Sequence, residues 1–219
     1  MMYRTVTLEP TNNEIIGNVI LLTGRGGKAA TLVRKFAPFL QYSRLIGVEP
    51  IEEWYPMPNG ANDQIYAVEG LEIAAPQLKS FLENIQSNFA CQSHDLALVG
   101  FSAGAVMALQ MVTNYTTKYA AVVAHSGAIL CPDKVQNCIN DTPIFLFHNM
   151  DDDCFAWDER YIPMKNALIN KSYKTLFSEK PTGGHVIDKG DVCRSSIFIA
   201  NKFNYPEIPN CMEHEDSLG

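Results

Sequence analysis

Apolar residues gather along the chain into short runs rich in β-branched side chains and ended by turn residues: Val19–Thr23, Leu96–Gly100, Ala121–His125 and Ile144–Phe147. Because successive positions are apolar, and not every second one, these runs predict strands buried on both faces. Between them lie stretches of helical length, about Gly27–Leu40, Val68–Phe89, Ala103–Tyr115, Asp158–Asn170 and Asp191–Lys202. Strand then helix, repeated, predicts an α/β fold with a mostly parallel central sheet, helices on both faces and right-handed crossovers. The alternating start, residues 1–8, reads as a further strand, and Tyr173–Ser178 is strand-like. No repeat or linker divides the chain, so residues 1–219 read as one domain, with the Pro, Glu and Asp of residues 205–219 suggesting a loosely ordered tail.

In open sheets of this kind chemistry gathers beyond the carboxyl ends of the strands. The residues found there are polar: Thr23-Gly24-Arg25-Gly26-Gly27, Phe101-Ser102, Ser126-Gly127, His148-Asn149-Met150-Asp151-Asp152 and Gly183-Gly184-His185. Within Gly100-Phe101-Ser102-Ala103-Gly104 a serine sits where an apolar strand meets a helix-compatible run. A sharp strand-to-helix turn forces its central residue into a strained conformation and needs small neighbours so that the backbones can pass. The pattern is weak alone and strong in this setting. Ser102 is therefore the candidate nucleophile.

A serine hydroxyl is a poor nucleophile near neutrality and needs a histidine base, which in turn needs a carboxylate to fix its tautomer. Of the five histidines, His185 follows two glycines in a loop after the last strand-like run and is the chosen base. His125 and His148 end strands and are the nearer competitors; His94 precedes its strand, and His214 lies in the tail. The acid belongs at the tip of Ile144–Phe147, where Asp151, Asp152 and Asp153 all offer themselves and periodicity does not choose. Backbone N–H groups of Arg25 and Ala103 are the candidate donors to the oxyanion that attack on a carbonyl creates, the second aided by the dipole of its helix. The aromatic and Met-containing loop Glu52–Gly60 suggests a groove wall, with Trp54 and Met57 as candidate substrate contacts, or else a satellite core cluster.

Composition narrows the partners. The formal net charge is -7 with no cluster of Lys or Arg, which argues against nucleic acid. Charged residues or Pro interrupt every apolar stretch before it reaches membrane-spanning length. Six cysteines without an export-like start suggest reduced thiols and a cytoplasmic location, although Cys131 and Cys138 bracket a loop that a disulfide would close. No Cys-x-x-Cys or His-x-x-x-His spacing appears, so neither metal nor cofactor is expected.

These motifs together make the chain resemble the phospholipase/carboxylesterase family of α/β-hydrolases, which includes the acyl-protein thioesterases. That family reads His-Gly-x-Gly after its first core strand, Gly-Phe-Ser-Gln-Gly at the elbow, Ser-Gly after the next strand, then His-Gly-x-x-Asp and Gly-His. Registering His148 on the family histidine places the acid at Asp152, with Asp151 the fallback. The resemblance implies the α/β-hydrolase fold and cofactor-free hydrolysis of a small-molecule carboxylic ester or thioester through an acyl-enzyme. A homodimer is left open. Thr23 stands where the family has His, and Arg25 where it usually has an apolar residue. The Arg25 guanidinium either selects anionic substrates or turns to solvent to meet an acidic residue. Alternatives on the same fold are a dienelactone-hydrolase-like or peptidase-like enzyme, or a catalytically silent binding scaffold.

Overall fold

A computed structural model describes residues 3–10, 14–56 and 64–211. Its strands are β1 (Tyr3–Leu8), β2 (Gly17–Leu22), β3 (Ser43–Pro50), β4 (Leu96–Phe101), β5 (Ala121–His125), β6 (Ile144–Asn149) and β7 (Thr175–Lys180). Its helices are α1 (Ala29–Phe36), α2 (Gln64–Phe89), α3 (Ala103–Asn114), α4 (Ile162–Asn170) and α5 (Lys189–Phe203). The strands form one seven-stranded sheet in the order β1-β3-β2-β4-β5-β6-β7. Every neighbouring pair is parallel except β1 with β3.

Alternation along the buried strands sorts their side chains into two cores. In β4, Leu96 and Leu98 face the core shared with α2, α3 and α4, where Leu78, Val106 and Leu168 lie, while Ala97 and Val99 face α1 and α5 around Phe36, Phe198 and Ile199. Both faces are covered, which is why the runs read as continuously apolar. β1 is the exception: it is an edge strand exposed along most of its length, and its alternation does not sort into a buried and a wet face, since Val6 and Leu8 are exposed along with Arg4, Thr5 and Thr7.

Strand β3 has no counterpart among the sequence-predicted runs. Arg44, Glu49 and Pro50 break its apolar signal, yet Leu45, Ile46 and Val48 are buried. Glu49 is itself buried and usefully placed: its Oε2 accepts from Ala29 N–H at 2.6 Å at the start of α1, and its Oε1 lies 3.7 Å from Lys28 Nζ and 3.8 Å from Arg4. A carboxylate at a helix N-terminus is favoured by the unpaired N–H groups and the dipole there.

The register sets the site. Phe101 lies opposite His125, and His125 opposite Phe147, so the carboxyl ends of β4, β5 and β6 stand side by side. Ser102 after β4 and the Met150–Asp152 turn after β6 therefore leave the same rim of the sheet, with the end of β5 between them.

The cysteine expectation is corrected. Cys193 on α5 and Cys211 are joined by a disulfide with Cα atoms 5.8 Å apart, while Cys131 and Cys138 are free thiols. The bridge ties Cys211 back to α5, and Tyr205 is buried with its hydroxyl hydrogen-bonded to that of Ser43, while Pro206, Glu207, Ile208 and Asn210 between them are exposed. Protein isolated without reductant and unfolded in guanidinium is expected to titrate four free thiols with a thiol reagent and six after reduction; six before reduction would contradict the bridge.

Candidate active site

Ser102 joins β4 to α3 with φ 54° and ψ -121°, a left-handed conformation for a residue with a side chain. Such a conformation costs on the order of 1–3 kcal/mol and persists only when its surroundings over-determine it. Ser102 N–H donates to His125 O at 2.9 Å, and Ser102 O accepts from Ala105 N–H at 2.9 Å and Val106 N–H at 3.1 Å. The flanking glycines permit the close passage: a Cβ on Gly100 would strike the Gly104–Ala105 backbone, and one on Gly104 the Leu22 and Thr23 carbonyls. The sequence motif thus has a steric cause.

His185 reaches the serine from the loop after β7. Its Nε2 lies 2.8 Å from Ser102 Oγ, and its Nδ1 lies 2.9 Å from Asp152 Oδ2 and 3.0 Å from Oδ1. The Phe101 and Phe155 rings flank the imidazole, their centroids 5.0 and 5.9 Å away. Asp152 has a fully buried side chain whose Oδ1 also accepts from the N–H groups of Cys154 and Phe155, both at 2.9 Å. Burial pushes its carboxyl upward. The bonds from His185 and Phe155 N–H and the nearby imidazoles outweigh that, so the carboxyl is held below its ordinary range and the anion is the favoured form.

The other two aspartates divide differently. Asp151 accepts from Gly183 N–H at 3.2 Å and Gly184 N–H at 2.7 Å, and these bonds hold its carboxyl below the ordinary range. It therefore fastens the loop that carries His185. Asn149 Nδ2 donates to Gly184 O at 2.7 Å on the same loop, and Gly184 adopts φ +65°, which a glycine does at no steric cost. At the loop base Lys180 pairs with Asp188, and with Asp191 at 2.7 Å. Asn149, the last residue of β6, stands in the polar stretch noted after Ile144–Phe147 but was given no role from sequence, and Lys180, the last residue of β7, was not picked out. Asp153 makes no contact with His185.

The competing histidines are walled in. His125 is fully buried with Nε2 at 2.8 Å from Ser195 Oγ, which itself donates to Asp191 O at 2.6 Å, so the ring donates to the serine oxygen and is neutral. His148 donates from Nε2 to Phe155 O at 2.8 Å and stacks on Tyr161. It supports the loop that holds Asp152.

The turn Gly24–Gly27, closed by Gly27 N–H to Gly24 O at 3.0 Å, lies against Phe101 and Ser102 and forms one wall of the site. Ala103 is the first residue of α3, so its N–H has no partner within the helix and lies at the positive end of the dipole. The Arg25 guanidinium pairs with Glu53 at 2.5 Å, the second of its two expected fates. Trp54 is 1% exposed and lies in the core; its indole N–H donates to Thr23 O at 2.7 Å. This corrects its expected role: a ring with no exposed face holds the wall from behind and contacts no substrate. Met57 lies outside the described residues. A cavity of about 300 Å³ opens beside His185, its lining including Thr23, Lys28, Leu32, Phe101 and Ile187.

A seven-stranded, largely parallel sheet with a serine elbow, a loop histidine and a strand-tip aspartate on one rim is the α/β-hydrolase arrangement. Residues 39–211 match the model of the phospholipase/carboxylesterase family, and the chain belongs to that family of hydrolases. No curated protein matches the sequence. Among solved structures the chain is similar to the esterase PE8, at a TM-score of 0.83 and 21% identity over 92% of this chain and 99% of that one. It is also similar to a carboxylesterase of Bacillus cereus, at 0.74 and 18% over 92% and 95%. A third, acyl-protein thioesterase 2 of Zea mays, gives 0.73 and 18% over 91% and 99%. At these identities the likeness shows the fold.

With Glu53 neutralising the guanidinium, Arg25→Ala is expected to leave the ratio of kcat/KM for neutral and anionic esters unchanged; a marked shift in that ratio would return Arg25 to the substrate. Burial holds His125 down at about 3 against an ordinary 6.5. Between those values the unfolded chain takes up a proton that the folded chain refuses, so stability falls as pH falls through this window. The urea midpoint should drop between pH 7 and pH 4.5, and drop less in His125→Gln; an equal drop would contradict the burial argument.

Proposed function

We propose that the protein hydrolyses carboxylic esters or thioesters through an acyl-enzyme on Ser102, with His185 as acid–base and Asp152 as its anchor. One observation carries the reading: an unbroken line of contacts, 2.8 Å from Ser102 Oγ to His185 Nε2 and 2.9 Å from His185 Nδ1 to Asp152, begins at the strained elbow. The esterase, carboxylesterase and thioesterase that share the fold support the reaction class.

In the first half-reaction Ser102 Oγ adds to the carbonyl carbon while its proton passes to His185 Nε2. The carbonyl oxygen becomes an anion, received by the N–H groups of Ala103 and Arg25, and each such donor is worth about 3 kcal/mol in a water-poor site. His185 then protonates the departing alcohol or thiol as the tetrahedral adduct collapses to acyl-Ser102. In the second half a water adds to the acyl carbon, giving its proton to His185, and collapse releases the acid as that proton returns to Ser102. Asp152 stays ionised throughout and stabilises the imidazolium. The substrate's apolar part is seated against Leu32, Phe101 and Ile187.

Ser102→Ala should lower kcat for a short-chain aryl ester by about 10⁴-fold or more with an unchanged melting profile. Asp152→Asn should lower it by on the order of 10⁴-fold, and Asp151→Asn by far less. Initial rates over a panel of short and long acyl esters and thioesters check this and rank the substrates. Retained activity in Ser102→Ala, or a larger loss for Asp151 than for Asp152, would overturn the assignment.

A further inference from the structure

We propose that Asp152, Cys154 and His185 form an inhibitory binding site for zinc or a similar borderline-soft divalent cation. One ligand atom from each of the three lies within 4.8 Å of the others. The donor set combines thiolate, imidazole and carboxylate, the three types that zinc takes together, and ordinary zinc–donor lengths place tetrahedral donors roughly 3.3 to 3.8 Å apart. Asp152 and His185 already stand 2.9 Å apart, and the third donor belongs to an exposed residue whose thiol is hydrogen-bonded to the Asp153 carboxylate, a bond that ligation of the cation replaces. Only a side-chain rotation is needed to close the set.

Two further features favour the ion. Cys154 is exposed and the His185 side chain is partly so, and these two donors meet the cation from solvent, with the buried Asp152 carboxylate as the inner ligand. The thiol proton leaves to solvent on binding, and where Nδ1 is the ligand the ring proton shifts to Nε2, so the imidazole stays neutral. Thiolate and carboxylate then offset the two positive charges, with a neutral imidazole as third ligand and water as fourth. No metal spacing is visible in the sequence because the ligands are an Asp-x-Cys pair on one loop and a histidine brought in from another.

The consequence follows from either ring nitrogen. Ligation through Nδ1 replaces the hydrogen bond to Asp152 and prevents the imidazolium from forming; ligation through Nε2 takes the lone pair that Ser102 needs. Cys154 makes no contact with Ser102 or with the oxyanion wall among the described contacts, so it serves the ion and not the reaction. The inhibition rests on the reading of Ser102, His185 and Asp152 as a catalytic set; the binding does not.

The test uses chelator-stripped protein in a non-coordinating buffer. Zinc chloride should inhibit ester hydrolysis reversibly, with activity restored by chelator, and Cys154→Ala should keep the basal rate while raising the half-inhibiting concentration about tenfold or more. Cobalt(II) supplies a readout independent of turnover: a thiolate-to-cobalt charge-transfer band should appear in the wild type and in Ser102→Ala and be absent from Cys154→Ala. An equal half-inhibiting concentration in Cys154→Ala, or a cobalt band that is missing in the wild type or survives that substitution, overturns the proposal. Where no esterase activity is found, the cobalt band alone decides the binding site, and the failure is then of the hydrolase reading.

Discussion

A single backbone conformation organises this molecule: Ser102 at positive φ between β4 and α3. The turn can exist only if two glycines let strand, helix and the neighbouring β2 carbonyls pass at close range, and only if β5 supplies the His125 carbonyl that receives Ser102 N–H. That carbonyl is positioned because the His125 ring is buried and bonded to Ser195 on α5. The strain is thus supported by both cores and by three adjacent strands. Its result is a hydroxyl lifted above the sheet rim with a free helix N–H beside it.

Around the elbow, residues of one type take separate tasks according to what surrounds them. Asp152 is buried and presents its carboxylate to an imidazole, while its neighbour Asp151 is exposed and ties down the glycines that carry that imidazole. The histidines divide likewise: His125 and His148 are enclosed, each with one nitrogen satisfied inside the fold, whereas His185 turns its Nε2 to Ser102 Oγ. Environment assigns the roles, and it does so through hydrogen bonds from strand ends that lie side by side.

Much of this was legible in the sequence, for identifiable reasons. Continuous apolar runs marked β2, β4, β5 and β6 because both faces of those strands are covered, and the spacing of small residues around Ser102 reports a steric demand that few other structures make. Strand β3 escaped because Arg44 and Glu49 interrupt it; Glu49 is kept inside by the start of α1 and by two cations, a long-range compensation that no local pattern carries. The choice among three adjacent aspartates was open to periodicity and needed the family spacing. Trp54 was misplaced since an aromatic residue in a Pro-rich loop reads equally as a groove wall or a buried prop, and only the folded chain shows its ring closed off behind Thr23. The Cys193–Cys211 bridge joins a helix to a returning segment, a pairing set by tertiary path and not by spacing.

The central claim is that the elbow, His185 and Asp152 together make Ser102 uniquely nucleophilic. Covalent labelling with a fluorophosphonate followed by peptide mapping tests it most directly. The account predicts a single adduct, on Ser102, formed by folded protein and abolished by prior unfolding. No adduct, or an adduct on another residue with Ser102 unmodified, would contradict it.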